Sequence, residues 1–135
     1  MKGMDGLGQE HSEILGAKFV SFDKESETVE MRFEAPATFI THRDAVQGGL
    51  VAGFLDEVMG VAHVCATDGR EAPLNLEISM TLLRPVRQGH FWGRGRVVRR
   101  GKRVIFLEGE LFDEDGNILA RSTSTAIPTP RPEAG

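Results

Sequence analysis

The chain has 135 residues, enough for one domain with its own core, and carries 16 Lys and Arg against 20 Asp and Glu. The net charge of -4 excludes a general attraction to nucleic acid or to anionic membranes, so neither is expected as a partner. The single Cys65 excludes an intramolecular disulfide, and the opening MKGMDGLGQEHSE has no apolar signal segment, so we expect a soluble, cytoplasmic protein.

The N-terminal part is polar at first and then becomes strand-like. SEILG (residues 12–16) offers a Ser cap and a closing Gly for at most a short helix. Residues 18–23 (KFVSFD) and 28–34 (TVEMRFE) favour strands, and the polar segment KESE between them predicts a first hairpin. Pro36 ends the second strand, and an irregular connection leads to Gln47.

A helix of about 18 residues is predicted from Gly49 to Cys65 or Ala66. It is apolar on most of its circumference, which is typical of a helix enclosed by other elements. Asp56 and Glu57 stand side by side in its middle. Because burial of an unpaired carboxylate is costly, these two acids need either a packing partner or a chemical role.

Four strands are predicted after this helix, in residues 76–83, 90–98, 103–112 and 118–127. In the first of them apolar residues alternate with polar ones, as is typical of a strand; the apolar residues are Leu76, Ile78, Met80 and Leu82. Residues 1–127 are expected to form a single domain. The tail PTPRPEAG (128–135) is rich in proline and is expected to be disordered.

One long helix and about six antiparallel strands indicate an α+β fold. Consecutive hairpins form a twisted sheet, and only this helix is apolar enough to fill its concave face. The outer edge strand of such a sheet has to be protected, and pairing with a second copy of the chain is one way to do so.

Three segments in a fixed order carry a family resemblance: VQGGLVAGFLDEVMG (46–60), NLEISMTLLRPVRQG (75–89) and FDEDGNILARSTST (112–125). Over about residues 30–126 the chain resembles the hotdog-fold acyl-CoA thioesterases of the phenylacetate-pathway (PaaI-like) type. The resemblance implies a hotdog fold, in which a curved antiparallel sheet of about six strands wraps one long central helix. It also implies a homodimer or homotetramer with active sites at the dimer interface, and an acyl-CoA substrate that brings coenzyme A with it, so that no separate cofactor is expected.

Gly48 and Asp56 are the predicted catalytic residues. Thioester hydrolysis needs donors for the developing oxyanion and a carboxylate that activates water or attacks the carbonyl. Gly48 and Gly49 present backbone N–H groups at a helix N-terminus, and Asp56 has the spacing that the resemblance implies for the catalytic acid. Eight residues of helix span about 12 Å, so the two groups can serve one carbonyl only if they come from different protomers. Glu57 points about 100° away and is expected to have a structural or secondary role. Alternatively, both acids form a polar stripe where the helix reaches solvent or a partner.

Further residues are expected at or near the substrate. Gln47 stands where many relatives of the family carry His, and its amide can hold a carbonyl or position the helix. Gly49, Asn75 and His42 complete the predicted substrate-binding set; Asn75 either holds the attacking water or caps its strand, and His42 alternatively makes ordinary loop hydrogen bonds. His63 is expected to be buried by packing or at an interface. No His or Cys spacing suits a metal ion, and none is expected.

Several alternatives stay open. RGRVVRRGKR (94–103) either binds phosphates of coenzyme A or is the solvated rim of a hairpin. A non-catalytic acyl-CoA-binding dimer would keep the same fold. An enoyl-CoA hydratase or dehydratase is a third possibility, but that chemistry usually pairs a His with a carboxylate, and this chain has Gln47 in place of the expected His.

Overall fold

Six antiparallel strands and one long helix make up most of the protein, whose computed structural model describes residues 9–132. In chain order, the elements are α1 (Glu10–Ile14), β1 (Lys18–Asp23), β2 (Thr28–Ala35), a 3-10 turn (Ala37–Phe39), α2 (Gly48–Ala66), β3 (Glu71–Leu82), β4 (Gly89–Arg100), β5 (Ile105–Phe112) and β6 (Ile118–Pro130). The predicted α+β class, with one long helix and six strands, is confirmed.

The strands form a single sheet in the order β1-β2-β4-β5-β6-β3, with every neighbouring pair antiparallel. The predicted first hairpin is present and pairs Phe19 with Met31. β5 and β6 are joined by a tight turn in which the carboxylate of Asp113 accepts backbone hydrogen bonds from Asp115 and Asn117 at 3.0 and 2.9 Å. β1 and β3 are the two edges of the sheet.

α2 fills the concave face of the sheet. It begins at Gly48, one residue before the predicted start, and the side chain of Gln47 caps it by accepting the N–H of Leu50 at 2.9 Å. The helix is long and apolar enough to cross a membrane by length and composition alone, yet most of its apolar residues are buried against the strands. Edge-on contacts of Phe54 with Phe33 and Phe91 lie at the centre of this core.

The backbone of the helix comes very close to the sheet at Gly95 of β4. A Cβ atom at this position would lie 2.0 Å from the carbonyl oxygen of Val58 and 2.5 Å from its carbon. Such contacts with a helix backbone cannot be relieved by a change of rotamer. A glycine is therefore required where α2 crosses β4.

The alternation predicted for β3 is broken by a β-bulge. Asn75 pairs with Ala126 and Glu77 pairs with Thr125, so Leu76 is an extra residue between them. Leu76 is 56% exposed, and Leu82, at the end of the same edge strand, is 50% exposed. Neither residue is buried, so the alternating apolar set does not lie wholly against the core. Two other residues of the set, Ile78 and Met80, do pack against it.

The chain also remains ordered beyond the predicted domain end. β6 continues to Pro130, which pairs with Glu71, so the expectation of disorder from residue 128 is wrong for residues 128–130. β5 begins at Ile105, which pairs with Ala126, so residues 127–130 of β6 have a neighbouring strand on one side only, β3. Proline is tolerated at such an edge position because its missing N–H is not needed on the open side. Residues 133–135 lie outside the described part of the chain.

Candidate active site

Asp56 and Asn75 meet on the exposed side of α2, next to edge strand β3. The side-chain nitrogen Nδ2 of Asn75 donates a hydrogen bond to Oδ1 of Asp56 at 2.5 Å. Asp56 is exposed, and no group within residues 9–132 is hydrogen-bonded to its other oxygen, Oδ2. The structure thus brings two predicted site residues together and leaves one carboxylate oxygen accessible to water.

A residue that the sequence analysis missed lies behind this pair. The hydroxyl of Ser124, on β6, lies 2.8 Å from Oδ1 of Asn75, and Ser124 is only 2% exposed. A signal was available in the sequence, because Ser122 and Ser124 alternate with threonines in a strand of an otherwise apolar core. Buried hydroxyl groups on a core face require hydrogen-bond partners and so merit inspection.

Glu57, the neighbouring acid, has a structural partner. The hydroxyl of Ser12, on α1, donates to Oε2 of Glu57 at 2.5 Å, and Nε2 of His11 lies 3.4 Å from Oε1. Ser12 is fully buried and Glu57 is 9% exposed. The second acid of α2 therefore anchors the N-terminal helix, which agrees with the structural role expected from its direction on the helix.

The N-terminus of α2 has backbone donors available. Gln47 uses its Oε1 for the N–H of Leu50, whereas the N–H groups of Gly48 and Gly49 have no acceptor within residues 9–132. A Cβ atom at Gly49 would lie 3.0 Å from Oε1 of Gln47, so glycine there keeps the cap undisturbed. Of the alternatives weighed for Gln47, positioning the helix is the one its contacts favour.

Gly48 and Asp56 lie at different ends of β3. A Cβ atom at Gly48 would lie 3.3 Å from Cδ1 of Leu82, the last residue of β3, whereas Asp56 contacts Asn75 near its beginning. α2 is continuous between them, so the separation of about 12 Å expected from helix geometry applies. One copy of the chain therefore has the acid and the donors too far apart to act on a single carbonyl.

Asp56 lines a groove of about 190 Å³ between α2 and β3. Its walls combine apolar and polar side chains from α2, β3 and the two ends of the described chain; they are Gln9, Glu57, Gly60, Val61, Val64, Ala72, Pro73, Asn75 and Arg131. The groove places apolar surface directly beside the acid.

Two histidines lie away from this groove. His42 is exposed in the loop before α2, and its side chain makes no hydrogen bond within residues 9–132. A single copy of the chain therefore shows no contact for either predicted role, substrate binding or loop hydrogen bonding. His63 is fully buried, as expected. Its Nε2 lies 3.3 Å from Oε1 of Glu71, but neither ring nitrogen forms a hydrogen bond with a described residue. Burial lowers the pKa of His63, and the nearby Glu71 only partly opposes this effect.

Three of the six cationic residues in segment 94–103 form ion pairs with neighbouring glutamates. Arg94 lies 2.9 Å from Glu110, Arg96 lies 2.7 Å from Glu108, and Arg100 lies 3.2 Å from Glu27. These contacts favour the solvated hairpin over a phosphate site.

As for metal ions, no group of three potential His, Cys, Asp or Glu ligands is found in the described part of the chain.

The sequence and the fold of this chain are similar to those of several known proteins. Residues 45–120 match the family model described as the thioesterase superfamily. A solved structure from Ralstonia eutropha JMP134, provisionally identified as a thioesterase related to phenylacetic acid degradation, is 30% identical, has a TM-score of 0.77, and aligns over 84% of this chain and 85% of its own. A Saccharolobus solfataricus protein, provisionally named an esterase, is 27% identical over 81% of this chain and 76% of its own. A Streptococcus mutans structure bound to acetyl CoA shares the fold, with a TM-score of 0.75, 19% identity and coverage of 87% and 91%.

Proposed function

Because the chain belongs to the thioesterase superfamily and has its hotdog fold, we propose that it hydrolyses an acyl-CoA thioester to a free acid and coenzyme A. The observation that carries this proposal is the exposed Asp56, oriented by Asn75 on a helix whose N-terminus presents unused N–H groups. The fold neighbour that holds acetyl CoA supports coenzyme A thioesters as the substrates to test first. The cytoplasm, a reducing compartment, suits a chain with one buried free cysteine.

We propose that the active unit is a homodimer paired along β3, with a homotetramer as a further assembly. β3 is a 12-residue edge strand that carries exposed leucines, and these are Leu74, Leu76 and Leu82 at 58%, 56% and 50% exposure. A long apolar edge of this kind is a hazard for a soluble protein unless something covers it. A second copy of the same strand would extend the sheet and cover these side chains.

Antiparallel pairing of two β3 strands also supports a shared site. Asn75 marks the end of β3 near Asp56, and Leu82 marks the end near Gly48. A two-fold axis near the middle of β3 would bring the Asn75 end of one copy against the Leu82 end of the other. Asp56 of one protomer would then face the helix N-terminus of the other, and each dimer would contain two sites.

In the proposed reaction, the thioester carbonyl accepts hydrogen bonds from the N–H of Gly48, and that of Gly49, at the positive end of α2. Oδ2 of Asp56 from the other protomer removes a proton from water as the water oxygen bonds to the carbonyl carbon. The carbon–sulfur bond then breaks, and the departing sulfur receives the proton. We favour general-base catalysis over nucleophilic attack by Asp56, because Asn75 already binds one of the carboxylate oxygens and holds the other toward solvent.

The proposal is tested by release of coenzyme A from a panel of short-chain, long-chain and aryl acyl-CoAs. The wild type is expected to release thiol from at least one of them, and Asp56→Asn is expected to lower kcat by at least about 100-fold. Glu57→Gln is the matched control, since it changes the adjacent acid but keeps an acceptor for Ser12. An inert wild type, or an Asp56→Asn variant with full rate, would contradict the proposal. Binding without turnover would indicate the non-catalytic alternative, and hydration of an enoyl-CoA would indicate the hydratase.

The oxyanion donor is tested separately with two substitutions at Gly48. Gly48→Pro removes the N–H at the first helical position, where proline is favoured, and Gln47 already has φ -57° and ψ 134°, an extended conformation that suits a residue before proline. Gly48→Ala adds a similar bulk against Leu82 but keeps the donor. We expect Gly48→Pro to lower kcat by about 100- to 1000-fold relative to Gly48→Ala. Equal rates for the two variants would rule out the N–H of Gly48 as a donor.

A further inference from the structure

Ser124 lies behind the Asp56–Asn75 pair on β6, the strand next to β3. Its side chain is 2% exposed, and its hydroxyl oxygen lies 2.8 Å from Oδ1 of Asn75 and 2.9 Å from the carbonyl oxygen of Glu77. Because it is buried, Ser124 cannot touch a substrate. Its contact with a predicted site residue is the one with Asn75.

Asn75 reaches the helix side of the sheet because of the bulge at Leu76. Ile78 and Met80 pack against the core, so strict alternation would put residue 76 on that face and residue 75 on the outer face. The extra residue reverses the alternation, and Asn75 faces Asp56 instead. The bulge aims the side chain of Asn75 but does not decide which end of its amide faces the acid.

The two ends of an amide have nearly the same shape and opposite hydrogen-bonding character. Nδ2 only donates and Oδ1 only accepts, and an ionised carboxylate only accepts. The amide of Asn75 can therefore bond to ionised Asp56 only with Nδ2 toward it. A donor on the opposite side, at Oδ1, favours this orientation, and the hydroxyl of Ser124 is located there.

We propose that Ser124 is a positioning residue of the active site, which holds the Asn75 amide with Nδ2 toward Asp56 and thereby fixes the carboxylate with Oδ2 open to water. This inference rests on the proposed function, because it assigns Ser124 a task in the reaction of Asp56. The carbonyl of Glu77 offers the hydroxyl a second acceptor. When Asp56 has taken a proton, the amide can turn over and Ser124 can donate to this carbonyl instead, so the same hydroxyl serves both protonation states.

The test compares Ser124→Ala with the wild type in the thiol-release assay over a range of pH. We expect kcat to fall by about 10- to 100-fold, because small misplacements of a catalytic group have effects of this size. KM is expected to change little, and the acidic limb of the kcat/KM profile is expected to move to higher pH, since a hydrogen bond to the ionised acid is weakened. Ser124→Thr keeps the hydroxyl and is expected to restore most of the rate.

Ser122→Ala is the matched control. Ser122 lies two residues away on the same strand and face and is 5% exposed, but its hydroxyl contacts Sδ of Met59 at 3.4 Å rather than the site. We expect its rate and pH profile to match the wild type. A Ser124→Ala variant with wild-type kcat and pH profile would overturn the proposal. The proposal would also be overturned if Ser124→Ala lowered the rate by the same factor in an Asn75→Ala background as in the wild type. The hydroxyl would then act independently of Asn75.

A measurement that needs no turnover separates this inference from the proposed function. The side-chain amide signal of Asn75, identified by its loss in Asn75→Ala, can be followed by nitrogen-15 NMR during an acid titration. We expect this signal to respond to protonation of Asp56 in the wild type, not to respond in Asp56→Asn, and to shift in Ser124→Ala. If all acyl-CoAs are left intact but these changes occur, the function is wrong and the positioning stands. The positioning is wrong if Ser124→Ala changes neither the amide signal of Asn75 nor its response to acid. Ser124→Cys serves the same test if the alanine variant is unstable.

Discussion

Asn75 and Asp56 join the edge strand to the buried helix through one hydrogen bond of 2.5 Å. This contact links the strand that is proposed to form the dimer to the acid that is proposed to activate water. The partner of the acid is a neutral donor, which stabilises the ionised form without competing for its proton.

Asn75→Asp tests the need for a neutral donor. Two carboxylates at hydrogen-bonding distance cannot both ionise readily and would share a proton. We expect kcat/KM at pH 7 to fall at least about tenfold and its acidic limb to move up by about one pH unit or more. The measurement is the pH profile of thiol release. Asn75→Thr, which keeps a neutral hydroxyl donor, serves as the control and is expected to retain more activity at every pH.

Mixing two inactive variants tests the shared site. Asp56→Asn and Gly48→Pro homodimers are both expected to be inactive, but their heterodimer would contain one site with an intact Asp56 and an intact Gly48. Random exchange of protomers should therefore recover about one quarter of the wild-type activity, since half of the dimers are mixed and each has one working site of two. The readout is thiol release after co-refolding of the two variants. If the mixture is as inactive as its parts, the acid and the donors belong to the same protomer or to different reactions.

His63 is expected to make stability depend on pH. Burial lowers its pKa in the folded protein from the ordinary value of 6.5; Arg100 also lowers it, whereas Glu71 and Glu27 raise it. Below pH 6.5 the unfolded chain therefore binds more protons at this residue than the folded one, and the free energy of unfolding falls as the pH is lowered. We expect a lower urea midpoint at pH 5.5 than at pH 7.5.

His63→Leu identifies the residue responsible. The ring nitrogens form no hydrogen bond with the described residues, so removing the ring leaves no described donor or acceptor without its partner. The difference between the two urea midpoints should become smaller in His63→Leu and stay unchanged in His42→Gln, which alters an exposed histidine. An unchanged pH dependence in His63→Leu would assign the effect to other groups.

Cys65 is expected to be inert in the folded protein. It is 2% exposed, and burial raises the pKa of its thiol to about 11, so only about one thiol in a thousand is ionised at pH 8. Ellman's reagent should therefore react slowly with the native protein and with one equivalent per chain in urea. The same property suits the proposed assay, because thiol released from acyl-CoA can be detected without a background from the enzyme. Rapid labelling of native protein would show that α2 opens near its C-terminal end.

Sequence periodicity and turn chemistry were sufficient to predict the α+β class, whereas the hotdog fold was implied by the family resemblance and the strand order was not predicted. The apolar run of α2 and the alternation in the hairpins locate the helix within one residue at its start and give all six strands. Local patterns could not reveal the bulge at Leu76, since a single inserted residue leaves each half of β3 normally alternating. Nor could they show that Pro128 and Pro130 pair with β3, because composition carries no information on a neighbouring strand.

The candidate site was predicted in part for similar reasons. Gly48 and Asp56 stand out because glycine and an acid are unusual in an apolar helix, and the resemblance supplies their roles. Ser124 escaped notice, and Ser12 was wrongly predicted to cap a helix, whereas it lies inside α1 and bonds to Glu57. The partners of these serines, Asn75 and Glu57, are 49 and 45 residues away in the chain. Such long-range hydrogen bonds depend on the register of the sheet and on the packing of α1, which the amino-acid pattern does not specify.

The contact between Gly95 and the carbonyl of Val58 limits how far this enzyme can vary in evolution or in the laboratory. The atoms that a Cβ would meet most closely at Gly93 and Gly109 belong to side chains, whereas at Gly95 the obstacle is the backbone of α2 itself. Any larger residue at Gly95 would lift the helix and carry Asp56, two residues before Val58, away from Asn75. A screen for lost turnover should therefore recover substitutions at this distant strand position, and they would resemble active-site lesions although every proposed catalytic residue is intact.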